Sequence, residues 1–326
     1  MSFFSGWFGG GAAAAPAAAP TATAPPAPTA TTAPPSKHCL RRIRNDLRAL
    51  ERDAGGMLFA CVADDADFTA VDAMIVGLEG TPYAGGFFHF KVRFPPAYPC
   101  DCPKVELATT GRGTVGFNPN LYANGKVCLS ILGTWAGPSW SPTQSLASVL
   151  LSIQSLMHDR PYVNEPGREA ASDAACAPYN EFLRYATLRY ALARNVDASS
   201  AEYRAMPPPM RRFCADEFLR RFDDILALVD AAVERGEDGR PHRDPTNRSS
   251  ASGAANYGEL RRELVALRAA TEARVAREDR DDDDDAETTV DGGAAASEET
   301  SPEVATGSPE DASASPAAGA AADTNA

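Results

Sequence analysis

Apolar residues first recur at helical spacing in Leu40, Ile43, Leu47 and Leu50, set among arginines and other polar residues. That interval predicts an amphipathic helix over 38–53, ended by Gly55-Gly56. The period then drops to two. Val71, Ala73 and Ile75 alternate with Asp72, Met74 and Val76, and Phe88, Phe90, Val92 and Phe94 alternate with Phe87, His89, Lys91 and Arg93. The second run reads as a half-buried strand. Thr81-Pro-Tyr-Ala-Gly-Gly86 supplies a turn between the two, Phe94-Pro-Pro-Ala-Tyr-Pro99 breaks the second strand, and 104–108 is a short further strand.

From Gly111 to about Pro138 no period is visible, and an irregular stretch of that length inside a compact domain is more often functional than filler. Ser141, Pro142 and Gln144 read as N-cap, first helical residue and capping-box partner of a helix buried through Leu146, Val149, Leu150, Ile153, Leu156 and Met157. Further helices are predicted at about 173–193, 211–233 and 256–277. Helix, strand meander, long loop and then helices make an α+β chain with an antiparallel sheet.

Composition changes the picture at both ends. Residues 1–36 carry no charged side chain, while residues 278–326 hold 15 acidic residues against Arg280 alone. The tail therefore accounts for the whole net charge of −13 and the remainder is close to neutral. Neither end buries enough apolar surface to offset chain entropy, so both read as disordered. No basic patch stands out, which argues against nucleic acid. No stretch is long and apolar enough for a membrane span, and the first residues lack the features of a signal peptide; Phe3, Phe4, Trp7 and Phe8 read as a short docking motif or a weak membrane contact. The odd count of seven cysteines fits free thiols in a reducing compartment. Cys100 and Cys102 have no second pair at zinc-ligand spacing and histidines number only four, so no metal site is expected.

The chemistry concentrates in Phe117-Asn-Pro-Asn-Leu-Tyr-Ala-Asn-Gly-Lys-Val-Cys128. This segment resembles the active-site stretch of the ubiquitin-conjugating enzymes, where an Asn, a Gly and then the catalytic cysteine follow at fixed spacing, matched here by Asn120, Gly125 and Cys128. Gly80–Phe87, Phe94–Pro99, Trp140-Ser-Pro142 and Val149–Leu156 resemble flanking motifs in the same order, so the likeness runs from about Leu40 to Tyr185. Asn118 stands where the family has His. With the Gly133-Thr-Trp loop and Pro161-Tyr-Val-Asn-Glu-Pro-Gly167, it makes the chain similar to the Z-type members.

The resemblance implies the ubiquitin-conjugating fold, with an N-terminal helix, a four-stranded antiparallel sheet and C-terminal helices. It divides the chain into a leader 1–36, a conjugating core 37–199, a helical extension 200–277 and an acidic tail 278–326. It implies a thioester on Cys128, an oxyanion or loop-bracing role for Asn120, and activation of the attacking lysine by Glu165. A ligase would contact Arg41, Arg44, Cys100, Ser141 and Pro142; Cys100 itself reads as a half-buried packing cysteine. The implied partners are ubiquitin or a ubiquitin-like modifier, an activating enzyme, a ligase and protein substrates. No cofactor is implied, since ATP is used by the activating enzyme, and the location implied is cytoplasmic with nuclear access open.

Two other classes remain beside this one. A non-catalytic adaptor of the same family would lack the cysteine, which is present. A cysteine hydrolase would need a histidine brought to Cys128 in space, because none lies near it in sequence. In the extension, Phe213, Phe218, Phe222, Ile225, Leu226 and Val229 predict one apolar helical face and Tyr257, Leu260, Leu264 and Leu267 another, both needing a surface to pack on.

Overall fold

A computed structural model describes residues 34–53 and 55–291 of the chain. The leader's aromatic cluster and most of the acidic tail lie outside the described residues. Helix α1 (Lys37–Asp53) is followed by strands β1 (Leu58–Val62), β2 (Ala70–Val76), β3 (Phe87–Arg93) and β4 (Lys104–Leu107), which pair antiparallel in the order β1-β2-β3-β4. Strand β1 escaped the sequence reading because Leu-Phe-Ala-Cys-Val has no polar alternation, and a short apolar run does not declare its period.

Helix α2 spans Leu146–Leu156 and begins four residues later than the sequence reading placed it. Its cap is Ser145, which accepts from the Ser148 backbone N–H, while the Ser148 hydroxyl accepts from the Ser145 N–H. Ser141 and Gln144 instead close a turn of their own, with the Ser141 N–H donating to Gln144 Oε1 at 2.9 Å. Arg42 holds that turn out of the helix by donating to the carbonyls of Pro142 (3.2 Å) and Gln144 (2.6 Å).

Helix α3 (Asp173–Ala186) continues through a π-helical stretch Thr187–Ala193 into the short α4 (Arg194–Val196). Helices α5 (Ala201–Arg204), α6 (Pro208–Arg220) and α7 (Phe222–Glu234), a small hairpin of β5 (Pro241–Arg243) and β6 (Ser252–Ala254), and α8 (Tyr257–Asp291) complete the described chain. The last helix runs on beyond residue 277, where the sequence reading ended it. The chain divides into two compact units at Val275; the described part of the second is the end of this helix.

One core lies on the inner face of the sheet. Ile43 and Leu50 of α1, Val71, Ala73 and Ile75 of β2, Phe88, Phe90 and Val92 of β3, and Leu146, Val149, Leu150 and Ile153 of α2 are buried together with Phe117, Leu121 and Val127. A second core lies on the outer face, where Met74, Val76 and Phe87 meet Tyr203, Met210, Cys214, Phe218, Phe222, Ile225, Val229, Tyr257, Leu260 and Leu264. The sheet is therefore covered on both sides, and β3 is not the half-buried strand its alternation suggested: only Lys91 and Arg93 of its seven residues reach solvent. Alternation still sorts the side chains, but the outward set meets helices instead of water. Of its polar members, Asp72 and His89 are buried and satisfy each other in a direct carboxylate–imidazole contact, while Lys91 and Arg93 reach past the helices to solvent.

Candidate active site

The irregular stretch after β4 is held by backbone pairing rather than by a regular element. Bridges join Glu106 to Lys126, Asn118 to Leu121 and Leu121 to Val127. Gly125 makes the turn possible. Its φ is +88°, and a Cβ there would sit 2.8 Å from Glu106 Cγ and 3.0 Å from the Leu107 carbonyl oxygen. The Leu107 N–H donates to the Gly125 carbonyl at 2.8 Å, so the loop is pinned to the sheet edge just ahead of the cysteine.

Cys128 and Asn120 face each other through two bonds. The Cys128 N–H donates to the Asn120 carbonyl at 2.8 Å, and Asn120 Nδ2 donates to the Cys128 carbonyl at 3.0 Å. Cys128 is only 2% exposed, and Asn120 is buried beside it. Asn118 extends the lattice. Its Nδ2 donates to the Tyr83 hydroxyl (2.9 Å) and the Leu156 carbonyl (2.8 Å), and its Oδ1 accepts from the Asn120 N–H (3.0 Å) and Asn164 Nδ2 (3.2 Å). All the bonding capacity of this amide goes to holding the loop, and Tyr83 passes the chain on by donating to the Phe117 carbonyl at 2.7 Å. Complete burial pushes the Tyr83 phenol far above the ordinary tyrosine range, which keeps it a donor.

On the other side of Cys128, Thr134 folds the Gly133–Ser139 loop back on the cysteine's neighbours. Its hydroxyl donates to the Val127 carbonyl (2.7 Å) and accepts from the Leu129 N–H (2.9 Å), leaving Trp135 at the tip 44% exposed. Among the described residues no histidine bonds to Cys128. His89 pairs with Asp72, His158 contacts Asn164 Oδ1 at 2.9 Å, and His242 is buried against the ring of Phe182. All seven cysteines are free thiols.

Glu165 follows Asn164 in the loop after α2. Its Oε1 accepts from Arg248 Nη2 at 2.5 Å, while its Oε2 is buried and has no hydrogen-bond partner. Arg248 also directs Nη1 toward the Pro119 carbonyl at 3.5 Å, between Asn118 and Asn120. Burial would lower the Arg248 pKa, but Tyr122 and Glu165 outweigh it and the guanidinium is held above its usual range.

The residues read as a ligase surface are drawn to one side of the molecule by shared bonds. Arg41 and Arg44 are exposed on α1, whose Arg42 grips the turn that carries Ser141 and Pro142. The Trp140 indole donates to the Pro99 carbonyl at 2.8 Å and sets that turn beside Cys100. Cys100 is exposed, which corrects its reading as a half-buried packing residue; the tight turn after Tyr98 sends its side chain outward while Tyr98 and Pro99 take the buried positions. Thr134 and Arg248 were missed by the sequence reading. Thr134 stands six residues after Cys128 without a motif, and Arg248 lies in the extension with no local pattern to mark it.

Among the described residues no helix is long and apolar enough to cross a membrane, and no cluster of His, Cys, Asp and Glu is arranged to hold a metal ion. The family model described as ubiquitin-conjugating enzyme matches residues 42–190. Similar proteins include ubiquitin-conjugating enzyme E2 Z of Homo sapiens, 47% identical over 186 residues, covering 57% of this chain and 51% of that one. The Xenopus tropicalis protein of the same name is 45% identical over 194 residues, covering 59% and 60%. A probable ubiquitin-conjugating enzyme E2 25 of Arabidopsis thaliana is 42% identical over 145 residues, covering 43% and 23%. The chain thus spans about half the length of the first of these relatives. With the Asn120–Cys128 pair near the centre of the matched segment, residues 42–190 match the ubiquitin-conjugating enzyme model and the chain is similar to ubiquitin-conjugating enzymes E2 Z.

Proposed function

We propose that this protein is an acyl carrier which accepts ubiquitin from an activating enzyme as a thioester on Cys128 and passes it to a substrate lysine with the help of a ligase. The observation that carries the reading is the reciprocal bonding of Asn120 and Cys128 inside a matched family segment. The shielding of Cys128 suits a thioester that must outlast hydrolysis, and the absence of a bonded histidine disfavours the hydrolase alternative. In the transfer, the lysine sheds a proton to solvent and its amine attacks the thioester carbonyl. The C–N bond forms, the C–S bond breaks, and the departing Cys128 thiolate takes up the second amine proton.

Asn120 braces the cysteine loop through its bond to the Cys128 carbonyl, and its amide donates to the oxyanion that develops during attack. Glu165 orients the incoming lysine and assists loss of its proton. The ligase docks across Arg41, Arg44, Cys100, Ser141 and Pro142. The protein supplies no cofactor of its own; ATP is spent by the activating enzyme. A charging assay with ubiquitin, ATP and each type of ubiquitin-activating enzyme, run with and without reductant, tests this. Wild type gives a thiol-sensitive adduct and Cys128→Ala gives none. Absence of the adduct from folded wild type with both activating enzymes overturns ubiquitin as the cargo, and the same gel with ubiquitin-like modifiers then decides whether a carrier role survives.

A further inference from the structure

The hairpin of β5 and β6 sends a loop, Asp244–Ala251, across the catalytic stretch. Asp244 is fully buried and builds that loop around its carboxylate. Oδ1 accepts from the Thr246 N–H (2.7 Å) and hydroxyl (2.6 Å), and Oδ2 accepts from the N–H groups of Arg248 (3.2 Å) and Ser249 (2.9 Å). The loop is then sewn to the segment that leads into the Asn118–Asn120 turn. Ser249 Oγ accepts from the Gly116 N–H at 3.0 Å, and the Ser250 and Ala251 N–H groups donate to the Thr114 carbonyl at 2.9 and 3.1 Å. From this platform Arg248 reaches Glu165 Oε1 and the Pro119 carbonyl, with its guanidinium 5.5 Å from the centre of the Tyr122 ring.

The unusual member is Glu165. One of its oxygens is held by a guanidinium while the other is buried with no partner. A buried carboxylate oxygen left unbonded costs free energy, and groups in that condition call for a reason. We infer that Arg248, contributed by the extension, is a positioning residue of the transfer site: it holds the Glu165 carboxylate through Oε1 and so fixes the orientation in which that side chain, 20% exposed, meets the incoming lysine. The same guanidinium also reaches the Pro119 carbonyl, next to Asn120, so one side chain links the carboxylate to the turn that carries Asn120. The extension thereby completes the acceptor side of the site. The inference rests on the proposed role of Glu165.

The test is single-turnover discharge of the full-length protein, already loaded with ubiquitin, onto free lysine and onto hydroxylamine, which is uncharged at neutral pH and has no ammonium to orient. Arg248→Ala and Arg248→Gln are expected to slow discharge onto lysine about tenfold and onto hydroxylamine less than twofold, a loss typical of misplaced acid–base assistance. Arg248→Lys restores at least part of the lysine rate. Glu165→Ala combined with Arg248→Ala is no slower than Glu165→Ala alone, because the arginine acts through the carboxylate. If Glu165→Ala leaves lysine discharge unchanged, the role of Glu165 itself falls and Arg248 falls with it. If Glu165→Ala slows discharge but neither Arg248→Ala nor Arg248→Gln does, the arginine alone loses its role. Equal slowing toward both nucleophiles, or failure of the variants to load, marks Arg248 as a structural residue and overturns the inference.

Discussion

The inner and outer faces of the sheet are both buried, but different parts of the chain cover them. The inner face is closed by α1, α2 and the stretch that carries Cys128, which apart from the first turn of α1 lie inside the family-matched segment. The outer face is closed mainly by α6, α7 and α8, which come from the extension. Strand β2 shows both at once, with all seven residues buried, Val71, Ala73 and Ile75 inward and Met74 and Val76 outward. The lesson is that apolar burial and chemistry are separable here. The outer core stabilises the sheet from behind, whereas the Asp244–Ala251 loop of the extension bonds to the segment that carries Asn118 and Asn120.

The largest test of that separation is Phe218→Ala in the outer core. Loss of this fully buried ring is expected to cost about 3–5 kcal/mol of stability, while discharge per folded, charged molecule stays within twofold of wild type. Denaturant unfolding alongside single-turnover discharge measures both. A fall in discharge matching the fall in stability would join the two faces into one functional unit.

A smaller effect sharpens the comparison at the hairpin. Burial pushes the His242 pKa down from 6.5 to about 4, against a weaker upward pull from Asp244, and its Nε2 is buried without a partner. The unfolded chain therefore binds this proton near pH 6.5 and the folded chain only near pH 4. The folded state has its full stability from this group above pH 6.5 and loses it as the pH falls toward 4, by roughly 3 kcal/mol in all. Replacing His242 with leucine removes that component, so the difference between wild-type and variant unfolding free energies grows with falling pH across the window. Parallel curves would refute it.

The smallest effect belongs to the rim of the inner face. Trp140→Phe keeps an aromatic ring beside Tyr98 but loses the indole bond to the Pro99 carbonyl, and at least about 1 kcal/mol of stability should go with it. A thermal melt reads this directly, and no change would mean that the bond is replaced by water.

Much of the candidate site was legible in the sequence. Asn120, Gly125 and Cys128 announce themselves by spacing, and the inward sides of β2 and β3 by alternation. Other readings failed for local reasons. Ser141-Pro-Thr-Gln144 has the composition of a helix start, but Arg42, about a hundred residues earlier, captures two of its carbonyls and keeps it a turn. Lys91 and Arg93 obey the expected polar face of β3, while His89 on the same face is buried because Asp72 across the strand pair neutralises the cost.

The sequence by itself determined the α+β order and the likeness of residues 42–190 to the family model, because these rest on periodicity and motif spacing within short stretches. Only the tertiary structure decided that Glu165 is gripped by Arg248, that Thr134 closes over the cysteine's neighbours, and that most of the sheet's outer face is covered by helices. The physical reason is that an ion pair between residues 83 apart, or a helix laid on a distant strand, leaves no periodic trace in either partner. Such contacts exist only once folding has met the entropy of closing the chain between them.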